Sequence, residues 1–172
     1  MGHANGNGEH TLSTKAAGSR EDGEFKARID ILTQRLLNLG KGEFLQLLDV
    51  APSQLDAFMR AEHPKAIIIK DSRRDYILGH HRWVCVRPEQ IVLTMLDPHE
   101  IRVDKAYNAE RGSKELRVIF YRSAPEDHQM AVVVTFRPTG SVSHSIHTAF
   151  SVKETFMDDR RNEELMVWGK SG

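Results

Sequence analysis

Three strand-like segments in the second half of the chain constrain its fold more than any other feature. Each is dense in β-branched and aromatic residues, a composition typical of strands. They are Glu115–Arg122, Met130–Phe136 and Ser141–Phe150. The connections between them are short and contain Pro or Gly, whereas parallel strands need crossovers of about a dozen residues or more. We therefore expect an antiparallel meander that forms the core of the protein.

Helical patterns precede this sheet. Apolar residues recur at helical spacing from Phe25 up to Gly40, and we predict two further helices before Pro64, one over Phe44–Leu48 and one beginning at Ser53. A later helix is expected to begin at Pro88 and to end at Asp97-Pro98, and Ala66–Lys70 is predicted to be a strand. The fold class expected is α+β, with N-terminal helices followed by a helix-backed antiparallel sheet of about four strands.

Composition divides the chain into four expected parts. Residues 1–23, rich in Gly, Asn, Ser and Thr, are predicted to be a disordered tail, and residues 24–63 a helical unit. Residues 64–157 are predicted to be an α+β domain, and residues 158–172 a charged tail that forms either a last amphipathic helix or a frayed end. The 24 basic and 24 acidic residues balance, so a nucleic-acid surface would have to be a local patch.

Cysteine content and hydropathy indicate in which cellular compartment the protein is expected. A single cysteine, Cys85, excludes an intrachain disulfide. No apolar run reaches the roughly 18 residues of a membrane-spanning helix, and the N-terminus lacks the apolar segment of a signal peptide. We expect a cytoplasmic protein without a membrane partner.

Alternation along the strands gathers polar side chains on one face of the sheet. Strict alternation predicts that face to carry Arg117, Tyr121, Ser145 and His147, and puts Thr148 on the opposite face. An imidazole can exchange a proton near neutral pH and a guanidinium can stabilise a phosphorane, so this set suits phosphodiester cleavage in RNA. The same residue types are also ordinary cross-strand partners on an exposed sheet face.

The order of segments adds a resemblance. A histidine-containing segment, a helix ending in Asp-Pro, the strands ELRVIFYR and VVVTF, and a strand finishing in Thr-Ala-Phe resemble the barnase–EndoU–colicin–RelE ribonuclease superfamily, in particular its phage- and toxin-associated branches. The resemblance implies a metal-independent ribonuclease without a cofactor, whose partners are RNA and an inhibitor or antitoxin protein. It implies catalytic roles for His81, His147, Arg117, Tyr121 and Thr148, and RNA binding by Arg82, Arg102, Arg122 and Ser145. Thr148 can join His147 only if the last strand contains a bulge.

A second resemblance supports a different function. LGKGEFLQLLDVAPSQLDAFMRAEHP, from Leu39 to Pro64, resembles the helix-turn-helix of bacteriophage repressor-like proteins. It implies DNA contacts by Ser53, Gln54 and Arg60, although the segment carries a net negative charge, which opposes phosphate binding. The alternatives are therefore a DNA-binding regulator with a sensing or dimerising sheet, or an inactive nuclease fold used for protein contact.

Overall fold

A computed structural model describes residues 10–53, 55, 65–80, 86–105, 115–137 and 140–170. The helices in these ranges are α1 (His10–Leu37), α2 (Asp71–His80), α3 (Pro88–Leu96) and α4 (Met157–Glu163), and a 3-10 turn (Glu154–Phe156) precedes α4. The strands are β1 (Phe44–Leu48), β2 (Ala66–Lys70), β3 (Glu100–Asp104), β4 (Leu116–Ala124), β5 (His128–Phe136), β6 (Ser143–Lys153) and β7 (Glu164–Gly169). No described helix combines the length and apolar character needed to cross a membrane.

The strands form one seven-stranded sheet in the order β1-β2-β6-β5-β4-β3-β7. Its centre is the expected meander, because β4 pairs antiparallel with β5 and β5 with β6. The pairing of β2 with β6 is parallel, so the sheet is mixed. The α+β class is confirmed, and the sheet is larger than the four strands expected.

Helices α1, α2 and α3 cover one face of the sheet, which we call the first face. Apolar residues of α1, α2 and α3 pack there against inward-pointing residues of the strands, for example Leu36, Ile77 and Val92 against the side of the sheet that carries Phe120 and Val132. Alternate residues of the same strands point to the other side, the second face. A smaller cluster there contains Ile119, Tyr121, Ala131, Val133, Val152 and Met157.

The expected helix over Phe44–Leu48 is wrong, because this segment is strand β1. Its burial alternates, with Leu45 and Leu47 each 1% exposed and Phe44 59% exposed. Four apolar residues in five leave too short a pattern to distinguish a strand from a helix. The helix-turn-helix resemblance needs a helix at this position. Of its proposed DNA contacts Ser53 is exposed, while Gln54 and Arg60 lie outside the described residues.

The segment boundaries also differ from expectation. Strand β1 pairs with β2, so residues on both sides of the predicted boundary at 63 and 64 belong to one sheet. Helix α1 begins at His10, within the predicted tail of residues 1–23. Residues 158–172, predicted to be a charged tail, include most of α4 and all of β7, which pairs with β3.

Candidate active site

A bulge in β6 shapes the second face. Val134 of β5 is opposite Ile146, and Val133 is opposite Thr148, so His147 is one extra residue in β6. Ile146 and Ala149 both belong to the core of the first face, which leaves His147 and Thr148 on the second face. The strict alternation that separated Thr148 from His147 is therefore wrong, and the bulge is the physical reason.

A row of polar residues crosses the second face next to the bulge. Arg117 of β4 is paired with Thr135 of β5, and Thr135 is paired with Ser145 of β6. Neighbouring strands lie about 4.8 Å apart, so these three residues are adjacent across the sheet. Arg117 is half-buried, and its Nη1 lies 3.7 Å from Asp104 Oδ2.

Arg137 joins this row from the end of β5. Its Nε donates a hydrogen bond of 3.0 Å to Glu115 Oε1, and its Nη1 donates one of 3.2 Å to Ser145 Oγ. Neither Arg137 nor Glu115 was expected in the site: Arg137 lies just beyond the predicted strand Met130–Phe136, and Glu115 is the first residue of the predicted strand Glu115–Arg122. The register would have found them, since Leu116 pairs with Phe136 and the next position out places Glu115 opposite Arg137. We call Arg117, Arg137, Ser145, His147 and Thr148 the His147 cluster.

The environment of His147 favours its neutral form. Burial lowers the pKa of this imidazole, and the positive charges of Arg73 and Arg117 lower it further, while Glu115 opposes them. A neutral imidazole at pH 7 can accept a proton. Among the described residues, the cluster therefore combines a proton acceptor, two guanidinium groups and two hydroxyl groups.

Tyr121 lies apart from the cluster. It is buried, although we expected it on a face open to solvent. It is 1% exposed, and its hydroxyl donates a hydrogen bond of 2.9 Å to Oε1 of Glu164 in β7. Burial, together with the Glu164 carboxylate, raises the pKa of Tyr121. The residue was assigned to the correct face, but the C-terminal segment covers that part of the face.

The arginines expected to bind RNA are engaged elsewhere. Arg102 is 5% exposed and forms an ion pair of 2.7 Å with Glu100. Arg122 forms an ion pair of 2.5 Å with Asp97 and also donates to the Asp97 carbonyl oxygen. Of the expected binding residues, Ser145 is the one that the described structure brings into the His147 cluster. His81 and Arg82 lie outside the described residues.

No family model, no curated protein and no solved structure matches the chain. Within the described ranges, no three His, Cys, Asp or Glu side chains are grouped so as to hold a metal ion. Inferences about function therefore rest on the chain's own geometry.

Proposed function

We propose that this protein is a metal-independent ribonuclease-like enzyme whose active site is the His147 cluster. The single observation that carries the proposal is the bulge in β6, which brings His147 and Thr148 to the face that carries Arg117 and Ser145. Bulges are frequent next to active sites, where they redirect side chains. The proposed substrate is RNA, whose 2′-hydroxyl group is the nucleophile in the reaction described next.

The proposed reaction begins with proton transfer to His147. Its neutral imidazole accepts the proton of the 2′-hydroxyl, and the 2′-oxygen attacks the adjacent phosphorus. The bond from phosphorus to the 5′-oxygen breaks, which gives a 2′,3′-cyclic phosphate and a new 5′-hydroxyl end. That leaving oxygen needs a proton, and we assign its delivery to His81.

The remaining cluster residues would stabilise the phosphorane. Guanidinium groups donate several hydrogen bonds in a fixed plane, which suits phosphate oxygens that gain negative charge during the reaction. Arg117 and Arg137 supply two such groups, and each already contacts one carboxylate at 3.7 Å and 3.0 Å respectively. These carboxylates hold the guanidinium groups in place before substrate binds. The hydroxyl groups of Ser145 and Thr148 are further hydrogen-bond donors.

The proposal is tested with labelled RNA of mixed sequence in buffer containing EDTA. The His147→Ala variant should lose about 10²-fold or more of the cleavage rate, the usual contribution of a general base, with its circular dichroism spectrum unchanged. His99→Ala is the matched control, because His99 also has a pKa lowered by burial but hydrogen-bonds to Ser123, outside the cluster. Undiminished cleavage by His147→Ala would refute the assigned role, and absence of cleavage by the wild type on a broad RNA panel would refute the activity.

A further inference from the structure

A cavity of about 990 Å³ lies at the far end of β6 from the polar row. Four consecutive residues of β6, Phe150–Lys153, line it together with Phe156 of the 3-10 turn and Arg160 of α4. Strand β2 pairs with β6 only through Ser143–Ser145. In the described part of the chain, no strand therefore pairs with β6 along the cavity on that side.

Two aromatic rings and a guanidinium group give this cavity flat surfaces. The Arg160 guanidinium carbon lies 5.2 Å from the centre of the Phe150 ring, which is a cation–π contact. Phe156 is 58% exposed, so its ring is accessible to a ligand in the cavity. Aromatic rings and arginine planes are the surfaces on which proteins stack unpaired nucleobases.

The charges around the cavity balance. Its basic lining residues are Arg87, Lys153 and Arg160, and its acidic ones are Glu126, Asp159 and Glu163. A site that held phosphate groups by charge would need an excess of basic residues. The lining therefore favours an uncharged, flat group with hydrogen-bond donors and acceptors at its edge, which describes a nucleobase.

The turn between β4 and β5 forms a fixed rim for the cavity. Glu126 and Asp127 have φ angles of 62° and 55°, in the left-handed region that non-glycine residues seldom adopt. The Asp127 carbonyl oxygen accepts a hydrogen bond of 2.8 Å from the Glu154 backbone N–H. His128 Nδ1 lies 2.6 Å from the Glu126 carbonyl oxygen. These contacts hold the strained turn against the 3-10 turn that carries Phe156, so the aromatic surface is positioned before a ligand arrives.

The cavity and the His147 cluster are connected along β6. Phe150 packs with the second-face cluster and follows His147 by three residues, which corresponds to about 10 Å along a strand. We propose that this cavity binds an unpaired base of single-stranded RNA, stacked on Phe156 and on the Phe150–Arg160 pair, next to the scissile phosphate. The identity of the ligand as RNA rests on the proposed function, whereas the stacking geometry is independent of catalysis.

The test measures binding separately from cleavage. The probe is fluorescein-labelled single-stranded 2′-O-methyl RNA, which has no 2′-hydroxyl and cannot be cleaved, and fluorescence anisotropy gives its Kd. Phe156→Leu should weaken binding roughly tenfold, the order expected for the loss of one stacked base. Phe156→Trp, which keeps an aromatic ring, should bind as tightly as the wild type. Phe44→Leu is the matched control, because Phe44 is 59% exposed on β1 and does not line this cavity.

Each outcome decides the proposal. Weaker binding by Phe156→Leu, with unchanged binding by Phe44→Leu and a difference that persists at high salt, supports stacking in the cavity. Equal Kd values for Phe156→Leu and the wild type would overturn it, as would wild-type binding that is no tighter to the single strand than to the same sequence in a duplex. Binding without any cleavage of ordinary RNA would leave the stacking site standing and refute the proposed ribonuclease. Cleavage combined with an unchanged Kd for Phe156→Leu would support the proposed ribonuclease and refute the stacking site.

Discussion

The Tyr121 hydroxyl donates a hydrogen bond to Glu164 across strand β3, and the two side chains are only 1% and 6% exposed. This contact ties the last strand of the sheet to the meander. Glu164 Oε2 is buried with no hydrogen-bond partner among the described residues. Burial is the main cause that raises the pKa of this carboxyl, which Tyr121, Arg160 and Arg102 partly offset.

The raised pKa of Glu164 predicts a specific dependence of stability on pH. Between the carboxyl's pKa in the unfolded chain and its higher value in the folded protein, the folded state binds more protons, so stability falls as pH rises through this window. Glu164→Gln removes that titration while keeping an acceptor for the Tyr121 hydroxyl. Urea unfolding gives the free energy of unfolding of both proteins. The value for Glu164→Gln minus that for the wild type should be more favourable to the variant at pH 7 than at pH 4. A difference between the two proteins that is the same at both pH values would contradict this account.

The covering of the second face predicts unequal effects of two methionine substitutions. Met157, at the start of α4, is completely buried against Ile119 and Tyr121, whereas Met166 in β7 is 54% exposed. Met157→Ala should lower the free energy of unfolding by about 2–5 kcal/mol, because it leaves a cavity in the packing. Met166→Ala should change it by about 0.5 kcal/mol or less. Urea denaturation measures both, and equal small effects would mean that the C-terminal segment does not pack on the sheet.

Which parts of this fold could be predicted follows from segment length and register. The meander was predictable because each of its strands is long and rich in β-branched residues, and because its connections are too short for parallel pairing. Strands β1 and β7 have five and six residues and lie beside helical or charged stretches. Over so few residues, periodicity does not distinguish a strand from a helix.

The candidate site was predictable in its residue types and only partly in its geometry. Alternation placed Arg117 and Ser145 correctly on one face. The pairing of β4 with β5 has no bulge, and Ser145 precedes the bulge in β6. The bulge at His147 depends on how β5 and β6 pair, which a single strand does not encode. The burial of Tyr121 likewise depends on α4 and β7, which reach it from the other end of the chain.

The environment of His144 predicts that its imidazole stays neutral in mildly acidic solution. The ring is completely buried, stacks on Phe136 at 4.0 Å between ring centres, and accepts a hydrogen bond of 3.1 Å from the Arg137 backbone N–H. Burial, with the charges of Lys65 and Arg137, lowers its pKa to about 4. The unfolded chain would bind this proton near pH 6.5, so His144 should reduce stability as pH falls from about 6.5 towards 4.

An NMR titration of the histidine ring signals checks this directly, with His144→Gln used to assign the signal. The His144 midpoint should lie far below that of an exposed histidine. A midpoint near 6.5 in the folded protein would show that the ring is accessible to water.

The charge of Arg117 predicts a shift in the pH dependence of cleavage that simple loss of structure would not produce. Arg117 is one of the groups that lower the pKa of His147, so Arg117→Ala should raise that pKa. In the proposed mechanism the neutral imidazole is the reactive form, so kcat/KM rises with pH through the pKa of His147. The rising part of the profile should therefore move to higher pH in Arg117→Ala. The maximum should also fall by about 10²-fold, as expected when a donor to the developing charge is lost.

Arg20→Ala is the matched control for this experiment, because Arg20 is an exposed arginine of α1 that pairs with Glu24 at 3.1 Å, outside the cluster. Its profile should coincide with that of the wild type. A lower rate for Arg117→Ala with an unshifted rising limb would mean that Arg117 binds substrate without acting on His147. An unchanged rate would remove Arg117 from the active site, because in the mechanism its guanidinium, with that of Arg137, donates to the phosphorane oxygens that gain negative charge.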